Sequence, residues 1–235
     1  MRMRKRNNLE PRMEAASAVW IRDPEARRGS WRNLLPGARE LHLEIGCGKG
    51  KFTVEMAELH PDILFIALER VREAMLLGME KAVATGLKNL YFISADAALL
   101  ESLFAPGEVD RIYLNFCDPW PRSKKAKRRL TYHSFLEKYR VVLRPDGEIH
   151  FKTDNAQLFA WSLEEFAQYG YPVKNVTDDL HKDGVAGVMT GYEEKFHALG
   201  TPIHRCEIGM PGKQDSAAGP EAPAQQEGSE SECGS

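Results

Sequence analysis

The sequence predicts an α/β fold in which helices cover both faces of a doubly wound, mostly parallel sheet of seven strands. The first observation is that short apolar runs alternate with helical segments from Leu41 to Ile208. The second is that most of these runs are apolar almost throughout, which is typical of strands buried on both faces. The third is that glycine and polar residues collect where the runs end, at the edge where such sheets bind ligands.

Each strand is predicted from an apolar run, and each helix from its periodicity and its end signal. His60-Pro61 ends the first helix, Gly86 ends the second, and the turn Arg144–Gly147 ends the fourth. The predicted strands are residues 41–45, 63–68, 90–93, 109–116, 148–152, 172–177 and 203–208, and the predicted helices are residues 51–59, 72–84, 97–104, 132–143 and 156–168.

Length and composition fit one core with flexible ends. The chain has 235 residues, of which 43% are hydrophobic, and this suits a single α/β domain. Residues 1–37 are Arg-rich, and we predict a mobile basic arm followed by a segment that docks on the core through Trp20 and Trp31. We assign residues 38–209 to the domain, and we predict a disordered acidic tail over residues 210–235.

The charge is distributed unevenly along the chain. The net charge is −2, but the tail has five acidic residues against Lys213, a net of −4, so residues 1–210 carry +2. No run approaches the ~20 apolar residues of a membrane span, and no apolar signal segment follows the basic N-terminus. We therefore predict a cytoplasmic protein that does not bind a membrane.

The cysteines and histidines do not predict a metal site. Cys47, Cys117, Cys206 and Cys233 are too far apart for a CxxC pair, and the seven histidines form no HxxxH pair. Cys47 and Cys117 lie within or beside predicted strand ends, so we interpret them as packing residues rather than as nucleophiles. We expect reduced thiols and no metal.

A glycine-rich turn, Gly46-Cys47-Gly48-Lys49-Gly50, joins the first strand to the first helix. Its glycines permit a tight turn and the close approach of a ligand to the backbone. The turn lacks the GxGxxG spacing of dinucleotide sites and the GKS or GKT ending of phosphate loops. Glu44, two residues before the first glycine, would repel a pyrophosphate and attract a cationic sulfonium or ammonium group.

Two further carboxylates follow the next two strands. Glu69 is placed to accept both hydroxyls of a ribose, and Asp96 to accept from the amino group of an adenine. A single acid here is more often a solvated carboxylate or a helix cap, and Asp96 suits the N-cap of the next helix. Acids at three successive strand ends beside this turn nevertheless predict S-adenosylmethionine (SAM) as the cofactor, with S-adenosylhomocysteine as its product. The predicted SAM-binding residues are Glu44, Gly46, Gly48, Gly50, Glu69 and Asp96.

The segment Asn115–Pro121 follows the fourth strand and combines a carboxylate, Asp118, with a rigid Pro-Trp-Pro sequence. The flat face of Trp120 suits a site that holds a planar base beside a methyl donor. Six basic residues follow in eight positions without an acid: Arg122, Lys124, Lys125, Lys127, Arg128 and Arg129. The alternative is a solvated loop, but such a run repels itself and lies beside the proposed catalytic strand end, which favours phosphate binding.

Six motifs follow one another between residues 41 and 208: Leu43–Gly50, Ala67–Arg70, Asn115–Pro121, Lys127–Leu130, Phe151–Asn155 and Thr190–Phe196. In this order they resemble the motifs of the tRNA (guanine-N7-)-methyltransferases. These are class I SAM enzymes that methylate N7 of guanosine 46 in the variable loop of tRNA. The resemblance implies a Rossmann-like fold, tRNA as the substrate and 7-methylguanosine as the product.

The resemblance also implies a role for each matching position. Asp118 would be catalytic and would bind SAM together with the three acids already named. Substrate guanosine would be contacted by Arg122, Asp154, Thr190, Gly191, Tyr192 and Glu193, and the RNA by Lys124, Lys125, Lys127, Arg128 and Arg129. The chain departs from the family at Arg122, where Lys is common, and at Ser123-Lys124-Lys125, where Lys-Arg-His is frequent.

Methylation of guanine N7 needs no strong base, because this nitrogen has an exposed lone pair and no proton to lose. The product ring gains positive charge. We therefore hypothesise that Asp118 and Asp154 accept hydrogen bonds from donors on the guanine edge and stabilise that charge. No protein partner is required by the sequence, and a monomer or a homodimer is expected.

Three alternatives remain open at the level of sequence. Residues 115–120 weakly match the (Asn/Asp)-Pro-Pro-aromatic motif of DNA amino-methyltransferases, although the second proline is missing. A protein with the SAM fold could bind RNA or a partner without catalysis, although the set of acids is intact. A small-molecule methyltransferase would not need the basic run.

Overall fold

The computed structural model of the protein describes residues 8–211, and its strands and helices lie close to the predicted ones. The strands are β1 (Glu40–Ile45), β2 (Ile63–Leu68), β3 (Leu90–Ile93), β4 (Val109–Asn115), β5 (Leu143–Thr153), β6 (Val173–Thr177) and β7 (His204–Gly209). The helices are α1 (Leu9–Ala15), α2 (Lys51–Leu59), α3 (Arg72–Thr85), α4 (Leu100–Leu103), α5 (His133–Val142), α6 (Ala156–Gln168) and α7 (Gly191–Ala198).

The strands form one sheet in the order β3-β2-β1-β4-β5-β7-β6. β7 is antiparallel to both of its neighbours, and the other pairs are parallel. The predicted doubly wound, mostly parallel sheet is therefore confirmed. The order reverses between β1 and β4, and ligands bind in such sheets outside the carboxyl ends of the strands at this reversal.

Apolar side chains cover both faces of the sheet. Every residue of β2 is buried, with Leu64 and Ile66 in one apolar cluster and Phe65 in the other. The first cluster contains Tyr139 of α5, and the second contains Met75 of α3. Because β2 is buried on both faces, its sequence is apolar throughout, which made it easy to predict.

The segment before β1 is more regular than predicted, because it contains α1. Met13 of α1 is fully buried, and Arg12 forms two hydrogen bonds of 2.7 Å with Glu80 of α3. Trp31 is also fully buried; its indole donates to the Leu103 carbonyl at 2.8 Å. Residues 1–7, where the predicted basic arm begins, and residues 212–235 of the predicted acidic tail (residues 210–235) lie outside the described residues.

Two predicted elements differ from the structure by more than a one-residue shift of a boundary. β5 begins at Leu143, which pairs with Val109, and its regular pairing resumes at Glu148, opposite Arg111. The predicted turn at residues 144–147 is therefore an irregularity within β5 rather than a loop before it. The predicted helix over residues 97–104 is a 3₁₀ turn followed by the short α4.

α7 was not predicted from the sequence. Within α7 only Glu193 is buried, so the helix has no apolar stripe. Its sequence signal was the capping box, in which the Thr190 side chain accepts from the Glu193 amide and the Glu193 carboxylate accepts from the Thr190 amide. Between residues 8 and 211, no helix has the length and apolar character that a membrane crossing requires.

Candidate functional site

The glycine-rich turn lies at the carboxyl end of β1, at the strand-order reversal. Gly46 and Gly48 have φ values of +79° and +56°, and a Cβ added at either would meet nothing within 4 Å. They therefore leave open backbone on which a ligand can lie. Gly50 has a different role, because a Cβ there would lie 2.9 Å from Cα of Gly78 on α3. Gly50 permits close packing of α2 against α3, which the sequence did not distinguish from ligand binding.

Glu44, at the end of β1, is a buried carboxylate with polar partners. It is 3% exposed and accepts hydrogen bonds from the Thr53 hydroxyl and from Nδ2 of Asn115, the latter at 3.0 Å. Burial raises its pKa, and the charge of Glu69 contributes to the rise, whereas Thr53, Asn115 and Lys152 oppose it. Oδ1 of Asn115 is buried as well and has no hydrogen-bond partner within residues 8–211. This corner therefore offers acceptors to a donor that is preferably cationic.

The other two predicted cofactor acids lie at the ends of β2 and β3. Glu69 accepts from the amides of Gly48 at 2.9 Å and Val71 at 2.8 Å, so it fixes the glycine-rich turn to the next strand. Asp96 caps the following 3₁₀ turn by accepting from the Ala98 amide at 2.9 Å. Each acid thus has a structural role, and a ligand role for either stays a prediction.

The segment after β4 has an unusual backbone. Phe116 and Trp120 have φ values of +52° and +39°, a region that bulky residues rarely adopt, so the segment is strained. Asp118 is exposed between them, and its carboxylate accepts no hydrogen bond from the described residues. The guanidinium of Arg128 lies 3.8 Å from the centre of the Trp120 ring and covers one of its faces. Asp118 is therefore free to bind a ligand.

Arg129 is the side chain that holds this strained segment. It is 9% exposed, donates to the carbonyls of Pro119 at 3.0 Å and Trp120 at 3.1 Å, and lies over the Trp161 ring at 4.3 Å. The structure thus does not place Arg129 at the surface, where it was predicted to contact RNA. Its guanidinium is already used by two carbonyls and a ring.

We expect Arg129→Ala to destabilise the protein by about 1.5–3 kcal/mol, because two carbonyls would lose charge-assisted hydrogen bonds. The measurement is the free energy of unfolding from denaturant titrations. Arg128→Ala is the matched control, since Arg128 is exposed and should leave the unfolding midpoint near that of the wild type. Equal midpoints for the two variants would contradict the role assigned to Arg129.

The other predicted RNA-contacting residues form an exposed basic turn. This basic turn consists of Arg122 and the 3₁₀ helix Ser123–Arg128, and all of its charged side chains are exposed. None of them forms an ion pair within the part of the chain that the structure describes. The basic turn is therefore accessible to an anionic partner, and its contact with RNA stays a prediction.

Of the predicted guanosine contacts, Arg122 is exposed at the start of the basic turn, and the others lie after β5 and around the start of α7. Asp154 is half-buried, Gly191 is exposed, and Tyr192 is 57% exposed, so all three are accessible. Glu193 is fully buried. Its carboxylate lies 2.6 Å from Nζ of Lys152 and is not accessible in this structure, and the contact of the Thr190–Glu193 turn with guanosine stays a prediction.

The thiols near the site fit the packing interpretation. Cys47 and Cys206 are buried, and Cys117 is partly buried. Burial raises the pKa of Cys117 to about 12 and raises that of Cys47 well above its ordinary value. Both thiols are therefore protonated at neutral pH and are poor nucleophiles. Cys233 lies outside the described residues.

One group of potential metal ligands lies away from the strand ends, on the face shared by β5 and β7. It consists of Glu148, His150 and Glu207. Lys174 forms an ion pair with Glu148, and Arg205 with Glu207. Burial, reinforced by nearby Arg111, lowers the pKa of His150 to about 4. The acids of this group are thus already matched by basic side chains, and no metal was predicted here.

Comparison with known proteins identifies the relatives of the chain. Residues 38–206 match the family model described as "Putative methyltransferase". The tRNA (guanine-N(7)-)-methyltransferase of Geobacillus kaustophilus (strain HTA426) is 46% identical over 217 residues, covering 92% of this chain and 100% of the relative. The enzyme of the same name from Lactococcus lactis subsp. cremoris (strain SK11) is 43% identical over 88% of this chain and 97% of its own length.

Solved structures with the same fold are more distant in sequence. The 16S rRNA methyltransferase KamB superposes with a TM-score of 0.59 at 18% identity, over 75% of this chain and 89% of its own. A 16S rRNA (adenine(1408)-N(1))-methyltransferase from Catenulisporales acidiphilia, crystallised with SAM, gives a TM-score of 0.57 at 15% identity, over 83% and 94%. At these identities the likeness concerns the fold alone.

Proposed function

This chain belongs to the tRNA (guanine-N(7)-)-methyltransferase family, and on that premise we propose that it transfers a methyl group from SAM to N7 of guanosine 46 in the variable loop of tRNA. The proposed products are 7-methylguanosine and S-adenosylhomocysteine, and we propose the cytoplasm as the site of the reaction. The single observation that carries the proposal is Asp118, an exposed carboxylate without a protein partner at the end of β4. Asp118 follows β4, which pairs with the strand that carries the buried acid Glu44, and it precedes the basic turn in the sequence. Cofactor, base and phosphate would meet at these strand ends.

The residues at the end of β1 fit SAM. Glu44 is buried with a raised pKa, and the unpartnered Oδ1 of Asn115 lies in the same corner. A cationic amino group bound here would satisfy both groups, because it supplies charge to the first and a donor to the second. We assign Glu69 to the ribose hydroxyls and Asp96 to the adenine amino group. When bound, SAM supplies a methyl group on a positively charged sulfur, which is transferred by in-line displacement.

The protein has to orient guanine and stabilise positive charge on it. Asp118 and Asp154 follow the neighbouring parallel strands β4 and β5, so both carboxylates are at the same edge of the sheet. Neither accepts a hydrogen bond within residues 8–211, which leaves both available for donors on the guanine edge. A carboxylate held there before the reaction stabilises the developing charge without reorganising. Arg129 contributes by fixing Pro119 and Trp120, and thereby the position of Asp118.

The basic turn is proposed to bind tRNA phosphates. Each phosphate contact releases counterions, so its loss lowers the dependence of binding on salt. We expect Lys124→Ala and Lys127→Ala each to reduce the slope of log K against log salt by about one unit. Lys88→Ala is the control, because Lys88 is exposed just before β3, at the amino ends of the parallel strands and away from the basic turn. Unchanged slopes for the first two variants would exclude them as phosphate contacts.

The choice of guanosine 46 is tested by chemical cleavage. Unmodified tRNA is incubated with the protein and SAM, then treated with borohydride and aniline, which cleave the RNA at 7-methylguanosine. We expect one cut at position 46, and no cut in a transcript that carries adenosine there. A cut at another guanosine would reject the position while keeping the reaction, and the absence of any cut would reject the reaction.

A further inference from the structure

We propose that Lys152, His181 and Glu193 form a buried triad that positions the guanosine-contacting turn Thr190–Tyr192 and does not itself touch the substrate. The inference rests on the proposed function, because that function gives the turn its role. It differs from the expectation drawn from the sequence, in which Glu193 contacts guanosine directly. The three side chains of the buried triad are 9%, 1% and 0% exposed, respectively.

The buried triad is a closed set of short contacts. Nζ of Lys152 lies 2.6 Å from Oε2 of Glu193, and Nε2 of His181 lies 2.9 Å from Oε1 of the same carboxylate. Nδ1 of His181 accepts from the Ala186 amide at 3.2 Å, so Nε2 bears the proton and donates to Glu193. Both carboxylate oxygens are therefore occupied, and neither is directed at the surface.

The same three side chains bind the backbone at alternate residues before α7. His181 accepts from the amide of Ala186, Lys152 donates to the carbonyl of Val188 at 3.2 Å, and Glu193 accepts from the amide of Thr190 at 3.1 Å. Three attachments within five residues fix the path of the chain into the turn. The position of Thr190 and its neighbours thus depends on the buried triad.

Apolar packing holds this segment at Val188, which packs against the apolar cluster that contains Met75. Residues 182–187 are exposed, and residues 186–188 line a cavity of about 350 Å³ together with Phe52 and Lys152. A cavity removes the contacts that would otherwise hold a side chain in place. On either side of Val188, hydrogen bonds to the buried triad restrain the backbone at Ala186 and Thr190, and Lys51 donates to the Met189 carbonyl at 3.1 Å.

The consequence for catalysis is positional. A turn displaced by about 1 Å can lower the rate by about a hundredfold, because alignment supplies much of the catalysis. Loss of His181 or Glu193 should therefore impair the use of tRNA and leave SAM binding at the ends of β1 to β3 largely unchanged. In contrast, loss of a residue that contacts guanosine directly would impair catalysis without loosening the backbone.

The test compares Glu193→Gln with its exposed neighbour variant Glu194→Gln. Glu194 forms a surface ion pair with Lys51, so its loss should have little effect. For Glu193→Gln we expect kcat/KM for tRNA to fall by about tenfold to a hundredfold, with Kd for SAM within about twofold of the wild type. We also expect hydrogen exchange at residues 186–190 to rise by about tenfold or more, and Glu194→Gln to match the wild type in all three measurements.

Two outcomes would overturn the inference. One is wild-type kcat/KM in Glu193→Gln; the other is a fall in kcat with unchanged exchange at residues 186–190, which would show direct contact with guanosine. If wild-type protein did not methylate tRNA, the proposed function would fail, but the exchange measurement would still test the buried triad.

A double variant covers the case in which Glu193→Gln does not fold. Lys152→Met with Glu193→Gln removes both charges, and replacing a buried pair in this way is often neutral for stability. We expect this double variant to fold with a Tm near that of the wild type, yet to keep kcat/KM for tRNA at least about tenfold low, because the bond to Val188 is lost. If the double variant had both the Tm and the kcat/KM for tRNA of the wild type, the buried triad would have a purely structural role and the inference would be overturned.

Discussion

Asp118→Ala should lower kcat by about 10²- to 10³-fold at saturating SAM and tRNA, while the Tm stays at its wild-type value. The expected loss is large because Asp118 is the carboxylate that we assign to the developing charge on guanine. Stability should not change, because the side chain is exposed and accepts no hydrogen bond from residues 8–211. The measurements are single-turnover methyl transfer and thermal unfolding.

Asp146→Ala is the control for this prediction. Asp146 is exposed within the irregular start of β5. It lies at the amino ends of the parallel strands, away from the candidate site, so its loss should not change kcat. The assigned role would be wrong if Asp118→Ala turned over at a near-normal rate while SAM binding was unchanged.

Glu44→Gln should weaken SAM binding by about ten- to a hundredfold, as expected for the loss of a hydrogen bond to a charged group worth about 1.5–3 kcal/mol. The same substitution should stabilise the ligand-free protein at neutral pH. Glutamine keeps the size of the side chain and can still bond Thr53 and Asn115, but it removes a charge that burial disfavours. Calorimetric titration with SAM and denaturant unfolding without it measure the two effects.

The pH dependence of stability provides an independent check on Glu44. Its pKa is raised above the ordinary value of 4.5 in the folded protein, so the folded state binds more protons than the unfolded state between the two pKa values. The contribution of Glu44 to stability is therefore greatest below pH 4.5 and is lost as pH rises through the raised pKa. Glu44→Gln should lack this decline. If the two proteins had parallel pH profiles, Glu44 would not carry the raised pKa.

Most of the sheet and its helices could be predicted because the pattern of apolar residues in each segment matches the pattern of buried positions. β2 is apolar at every position and is buried at every position. The bounds of α6 were predicted at both ends, since Asn155 caps its first turn and its apolar residues recur with helical spacing. α7 was missed because it buries a carboxylate instead of an apolar stripe.

The candidate site was predictable as a set of strand ends and less so as individual roles. Glu44, Glu69 and Asp96 lie at or just after the carboxyl ends of three successive strands, so the topology collects them on one side of the sheet. In contrast, Arg128 and Arg129 are adjacent in sequence, yet only Arg129 is buried. Its environment is made by Trp161 and two carbonyls, which tertiary structure alone brings together.

Glu193 and Glu194 show the same limit. Glu193 is buried against Lys152 and His181, whereas Glu194 is exposed. A lysine within a buried strand was the available signal, because a buried lysine requires a partner. The sequence showed Lys152 in the motif Phe151–Asn155, but the partner lies 41 residues further along the chain.

The identity of the product nucleoside tests most directly whether this protein methylates guanine N7 in tRNA. Unmodified tRNA is incubated with the protein and methyl-labelled SAM, digested to nucleosides and separated by chromatography, with a DNA duplex of matched length in parallel. We predict that the label is recovered as 7-methylguanosine from tRNA, and that the DNA stays unlabelled. Label in an exocyclic amino group, in DNA, or in no nucleoside of the tRNA would contradict the claim.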